Sequence, residues 1–285
     1  MLERIEKILL ADSGTGHTEE MLKRLMELPS FQAANVTVLH VVHPQVTTEE
    51  MTRRLEEGGQ VLSNAIQNLG LEAQKVDPIL KQGDPKSIVV KMADDTETDL
   101  IIMGSRGLKR LQSILENSVS QYVFQLASRP MLLVKDDIYV KRINRVMVAV
   151  DQSETAKDTL ALALKIVRDI KGGQLVLVHT NPDMKLKPGE IAGNPEEDPV
   201  MVPAIAEAKK LGINYKAIAP EGKPGERICQ VAEDLNVDLL ILGSPDRRPT
   251  IAKGLPDLDR LLGQSLSDYV RVYANCPVLL VRTPT

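Results

Sequence analysis

The chain repeats itself, and the repeat is the strongest constraint on what it can fold into. Asp12, His40, Gly83, Pro85, Asp99 and Gly104 recur 139 positions on as Asp151, His179, Gly222, Pro224, Asp238 and Gly243. From there the spacing lengthens to 147, and Ser118, Ser120, Tyr122, Pro130 and Val134 return as Ser265, Ser267, Tyr269, Pro277 and Val281. The eight added residues fall within PDRRPTIAKGLPDLDR, residues 245–260. A period of about 140 residues is the size of a whole domain. Two domains are therefore expected, 1–140 and 141–285, joined through DDIYVKRIN.

Within each copy short apolar runs alternate with segments of helical period, the pattern of parallel strands joined by crossover helices. In the first copy the strands are expected at KILLAD, VTVLHVV, AQKVDPIL, DLIIMG and PMLLVK. HTEEMLKRLMEL, TTEEMTRRLEEGGQVLSNAIQNL, PKSIVVKMADD and SVSQYVFQLA supply the helices. The second copy repeats this order, with GNPEEDP and the prolines at 188 and 203 expected to turn part of its second helix into loop. The fold class is α/β, each domain a five-stranded parallel sheet flanked by helices. Such sheets bind ligands beyond the carboxyl ends of their strands, where strand order reverses. The residues after LLAD, HVV and IIMG converge there.

Composition narrows the partners. A formal charge of −4 supplies no basic field for nucleic acid or an anionic membrane. The two cysteines, Cys229 and Cys276, have no metal-ligand spacing and read as thiols in a reducing compartment. MLERIEKILLAD carries charges before a very short apolar run, which is neither a signal-peptide core nor a membrane span. The expected location is the cytoplasm.

GSRGLKRLQSILENSVS, residues 104–120, admits two readings. Gly104 and Gly107 let backbone N–H groups approach an anion after a strand, and Ser118 to Ser120 open a helix whose N-terminus favours negative charge. Equally, Ser118-Val119-Ser120-Gln121 is a capping box, and Ser265-Leu266-Ser267-Asp268 a weaker one. SGTG at 13–16 lacks the lysine of a Walker motif and the GxGxxG order of a dinucleotide fingerprint, and reads as a strand-to-helix turn. His40 and His179 stand among apolar strand neighbours and read as satisfied core histidines. Arg106, Lys109 and Arg110 suit either phosphate or solvent.

These residues resemble the universal stress protein (UspA-like) family in its tandem two-domain form. Its ATP-binding members carry Gly, two residues, Gly, nine residues, then Gly with Ser or Thr after the fourth strand. Gly104, Gly107, Asn117 and Ser118 match that spacing, with Asn117 in place of the third glycine. The resemblance implies a Rossmann-like fold of the adenine nucleotide alpha hydrolase type in both domains. It also implies a stress-response regulator binding ATP, or AMP or ADP, with Mg²⁺ shared among phosphates and water. By that resemblance Asp12, Ser13, Val41 and Met103 lie against the nucleoside, and Gly104, Arg106, Gly107, Asn117, Ser118, Val119 and Ser120 hold ribose and phosphates. The matching second site comprises Asp151, Ser153, Thr180, Gly243, Ser244, Gln264, Ser265, Leu266 and Ser267. It departs from the pattern, with Asp246 in place of the second glycine and Gln264 in place of the third. Nucleotide is therefore expected mainly in domain 1. Relatives with one domain commonly dimerise through the last strand, so PMLLVK and CPVLLVR imply an internal pseudo-dimer, with a homodimer and an unknown protein partner as further associations. A slow ATPase or nucleotidyl transferase, and a nucleotide-free interaction scaffold, stand as alternative classes. No positioned nucleophile or carboxylate pair accompanies the loop.

Overall fold

A computed structural model describes residues 5–105, 118–153, 155–180, 194–244 and 265–282. The chain divides into two compact units, one ending at Val140 and one beginning at Lys141.

The first unit runs β1 Lys7–Ala11, α1 Thr18–Met26, β2 Asn35–Val42, α2 Thr48–Leu69, β3 Val76–Gln82, α3 Pro85–Asp95, β4 Leu100–Ser105, α4 Val119–Leu126 and β5 Met131–Lys135. Its strands lie in the order β3-β2-β1-β4-β5, all parallel. The second unit follows the same plan: β6 Arg145–Ala149, α5 Ala156–Asp169, β7 Gln174–Val178, α6 Val202–Lys210, β8 Tyr215–Ile218, α7 Pro224–Asp234, β9 Leu239–Gly243, α8 Leu266–Tyr273 and β10 Val278–Val281. Its order is β10-β9-β6-β7-β8, again parallel. Strand order reverses between β1 and β4, and between β6 and β9.

The central strands are continuous apolar runs because helices cover both faces of a parallel sheet. Ile8, Leu9 and Leu10 in β1 and Leu100, Ile101 and Ile102 in β4 are all buried. Helix boundaries follow local chemistry. Thr47 accepts from Glu50 N to cap α2, and Gly70 closes that helix at φ 60°. Asp84 caps α3, whose first residue, Pro85, has no N–H to leave unpaired. One acidic residue in each unit fixes the start of the first strand: Asp99 accepts from Glu6 N and Lys7 N, and Asp238 from Asn144 N and Arg145 N.

Two sequence expectations need adjustment. AQKVDPIL opens as a 3-10 turn, Ala73–Lys75, before the strand begins at Val76. Pro78 is accepted within that strand because β3 lies at the sheet edge. In the second unit Pro203 does not interrupt a helix but starts one, in the first turn of α6, where a missing N–H costs nothing. GNPEEDP does leave the helical path, forming a 3-10 turn at Pro195–Glu197, and Pro188 lies outside the described residues. The second helix thus shrinks from 22 residues in α2 to 9 in α6.

Candidate functional site

A cavity of about 420 Å³ opens at the carboxyl ends of β1 and β4, where the first unit's strand order reverses. That volume suits a small organic ligand. Asp12, Ser13, Val41, Met103, Gly104, Ser118, Val119 and Ser120, all named from the sequence, line this one space. Arg106, Gly107 and Asn117 lie outside the described residues, as do Lys109 and Arg110.

The wall has two characters. Leu39 and Val41 on β2 and Pro85 and Val89 on α3 supply apolar surface. The end of β4 and the start of α4 supply Gly104, Ser105, Ser118 and Ser120. Ser118 accepts from Gln121 N at 3.2 Å and so caps α4, while the residue still borders the cavity. The two sequence readings of this stretch are therefore compatible. A Cβ on Gly104 would meet only Thr18 Cγ2, at 3.7 Å, an ordinary contact. The protein itself leaves room there.

Asp12 is the most unusual group. It is 4% exposed; Oδ1 accepts from Gly14 N at 3.0 Å, while Oδ2 is buried with no hydrogen-bond partner among the described residues. Burial pushes its pKa above the ordinary carboxylate value, opposed by the Gly14 N–H and by His40 and reinforced by Glu20. An acceptor buried in this way demands a donor. Its backbone is pinned by β2, since Asp12 N donates to Leu39 O at 2.9 Å and His40 Nδ1 lies 2.8 Å from Asp12 O. A carbonyl only accepts, so Nδ1 carries the proton. His40 borders the cavity yet is satisfied through its backbone partner. The SGTG turn is set by backbone conformation: Gly14 and Gly16 take φ of 76° and 89°, and a Cβ on Gly14 would come within 2.9 Å of Val61.

Ser105, Thr15, His43, Pro85, Val89 and Asp136 also line the cavity and were not among the site residues expected from the sequence. Ser105 Oγ is a second buried oxygen without a partner among the described residues. The readable signal for Pro85 and Val89 was the Asp-Pro start of a helix directly after a strand end, which places that helix at the same edge as the other site loops.

The second unit assembles its counterparts differently. Strand registers align Ile8 opposite Leu100 with Val146 opposite Leu239, and Ala11 opposite Leu39 with Ala149 opposite Val178. Since Leu100 and Leu239, and Leu39 and Val178, stand 139 apart, the first strands are related by 138. Val150, not Asp151, therefore occupies the place of Asp12, correcting the pairing of the two aspartates. Val150 N donates to Val178 O, and His179 Nδ1 lies 2.8 Å from Val150 O. Asp151 is exposed, its Oδ1 accepting from Ser153 N and Ser153 Oγ. Thr180 is buried. Over Gly243 the protein fills the space itself, for a Cβ there would lie 2.5 Å from Thr155 Oγ1. Ser244, Ser265, Leu266 and Ser267 gather at the start of α8, while Asp246 and Gln264 lie outside the described residues.

Comparison with known proteins agrees with this geometry. A model of the universal stress protein family matches residues 4–135 and again 142–282. A universal stress protein of Thermus aquaticus is 31% identical over 135 residues, covering 45% of this chain and 97% of its own length. Universal stress protein MJ0577 of Methanocaldococcus jannaschii is 28% identical over 153 residues, covering 46% of this chain and 94% of its own length. The crystal structure of a universal stress protein from Archaeoglobus fulgidus superposes over 99% of this chain and 97% of its own, with a TM-score of 0.75 at 23% identity, and so shares the doubled fold. Among the described residues no helix is long and apolar enough to cross a membrane. With its family domain matched twice along one chain, the protein belongs to the universal stress protein family in tandem form.

Proposed function

We propose that the first unit binds an adenine nucleotide and that the protein acts as a nucleotide-responsive stress regulator. The observation that carries this reading is the buried Asp12 Oδ2, which has no hydrogen-bond partner among the described residues, in a cavity that also holds the N-terminus of α4. A nucleotide brings both complements: ribose hydroxyls that donate to a carboxylate, and phosphates that accept from free helix N–H groups and serine hydroxyls. Val41, Pro85 and Val89 would face the base, Asp12 the ribose, and Gly104, Ser105, Ser118 and Ser120 the phosphates. ATP would carry Mg²⁺ on its phosphates, the ion keeping several waters. Bound nucleotide would favour one conformation for a protein partner to read instead of being consumed.

The test is mass spectrometry of ligand released from the purified protein, followed by thermal melting with added AMP, ADP or ATP and Mg²⁺. Ligand at 100 times its Kd stabilises a folded state by about 2.7 kcal/mol, which should appear as a clear melting shift. No released nucleotide and no shift with any of the three would sink the reading.

A further inference from the structure

We infer that the second unit is closed to phosphate because its own Asp268 takes the anion position at the start of α8; the inference rests on reading the first unit's equivalent helix end as a phosphate seat. Asp268 is the third residue of α8 and is 2% exposed. Its N–H donates to Ser265 Oγ at 3.2 Å, while the Ser265 hydroxyl donates to Asp268 Oδ2 at 2.6 Å. Arg271 Nε donates to Oδ1 at 3.2 Å, and the side chains of this pair are 8% and 1% exposed. Burial lowers the Arg271 pKa and the adjacent Asp268 charge opposes that fall. Ser267 Oγ lies 3.2 Å from Ser265 Oγ and accepts from Ser244 Oγ at 3.3 Å.

Among the described residues, these contacts occupy groups that a phosphate would use. The helix end already has a full negative charge beside it, the Ser265 proton is committed to a carboxylate, and Thr155 fills the space over Gly243. In the first unit the positions of Asp268 and Arg271 are held by Gln121 and Phe124, both uncharged, and Gly104 is open. One acid and one base, three residues apart, thus separate a helix end that can receive an anion from one that has its own.

Reciprocal exchange in the full chain tests this, with AMP and Mg-ATP as probes in titration calorimetry. Gln121→Asp with Phe124→Arg should install the pair in the first unit and weaken binding at least tenfold, as should Gln121→Asp alone; unchanged affinity in both would overturn the inference. Asp268→Gln with Arg271→Phe, made together with Thr155→Ala to clear the space over Gly243, should give the second unit a measurable affinity for Mg-ATP, and binding still confined to one equivalent would show that Asp268 is not what closes the unit. Independently of any ligand, Asp268→Gln alone removes the carboxylate that pairs with the buried Arg271 guanidinium and should lower the denaturation midpoint, with recovery in the double variant. Equal midpoints for parent, single and double variants would refute the pairing itself. A parent protein that takes up no nucleotide would instead fail the reading of the first unit, while this last arm still decides whether Asp268 holds Arg271.

Discussion

In the first unit His40 holds the carbonyl of Asp12; in the second, His179 holds the carbonyl of Val150 at the same 2.8 Å. The two strand ends are clamped alike and present different side chains. One extra residue has entered the second unit between the strand and its aspartate, so a buried carboxyl facing a cavity is replaced by a buried valine, and the carboxyl moves into solvent. The local turn survives, because Asp12 and Asp151 each accept from the N–H two residues on. The same residue type can thus stand in two settings: a one-residue shift at a strand end changes which side chain the sheet presents.

The largest effect should come from forcing the two ends to match. Val150→Asp places a carboxyl where the second unit buries an apolar side chain, 9% exposed. The expected cost is about 3 kcal/mol, seen as a lower denaturant midpoint at neutral pH. A cost below about 0.5 kcal/mol would mean that the second unit keeps a polar niche there, and the comparison would fail.

Next in size is Asp12→Asn. Loss of a charged acceptor for a ligand hydroxyl should weaken nucleotide binding roughly tenfold to hundredfold, since such hydrogen bonds contribute about 1.5–3 kcal/mol. Without ligand the sign reverses. Burial raises the folded pKa of Asp12 above 3.8, so its contribution to stability is fully present below the ordinary carboxylate pKa and is lost as pH rises through the raised value. The asparagine variant lacks that loss and should be more stable than the parent at neutral pH, with the gap closing toward pH 4. Denaturation at several pH values checks it; a variant less stable at pH 7 would show that the charged form is favoured by the fold.

The strands and most helices were legible because continuous apolar runs and three-to-four spacing report directly on burial, as with Leu100–Met103 in β4 or Met21, Leu22 and Leu25 in α1. The slip at Asp151 was not. Matching Asp with Asp tracked a conserved turn, whereas register is set by which of the residues before it pair with the neighbouring strands. Ser105, Pro85 and Val89 were equally hidden, because they meet only when the start of α3 and the end of β4 reach one cavity, although β2 and β1 separate β3 from β4 in the sheet. Asp268 was visible as a weak capping residue, and the signal overlooked was Arg271 one turn later on the same helix.

A third contrast tests the space above the fourth strand of each unit. Gly243→Ala brings Cβ within 2.5 Å of Thr155 Oγ1, so the threonine must rotate or the strand shift, at about 1–2 kcal/mol. Gly104→Ala meets only an ordinary contact and should leave the ligand-free stability within about 0.5 kcal/mol of the parent. Its effect should appear in nucleotide affinity instead. Equal stability losses at both positions, measured by urea denaturation, would remove the distinction between an open and a filled site.

The smallest effect belongs to Asp151→Ala. Its carboxylate lies exposed and, among the described residues, is bonded locally to Ser153 N and Ser153 Oγ at 2.9 and 2.6 Å. Exposed hydrogen bonds exchange readily with water, so removing this one should cost about 0.5 kcal/mol or less. Nucleotide affinity and stoichiometry should not move, although the residue type is the same as at Asp12. The paired measurement isolates position from chemistry. Both variants lose an aspartate from the same turn motif, and only the one with an oxygen buried without a partner among the described residues should change binding. A loss of nucleotide binding in Asp151→Ala comparable to that of Asp12→Asn would mean that the second unit's turn closes over a ligand when one is present, and that the one-residue shift does not decide which unit binds.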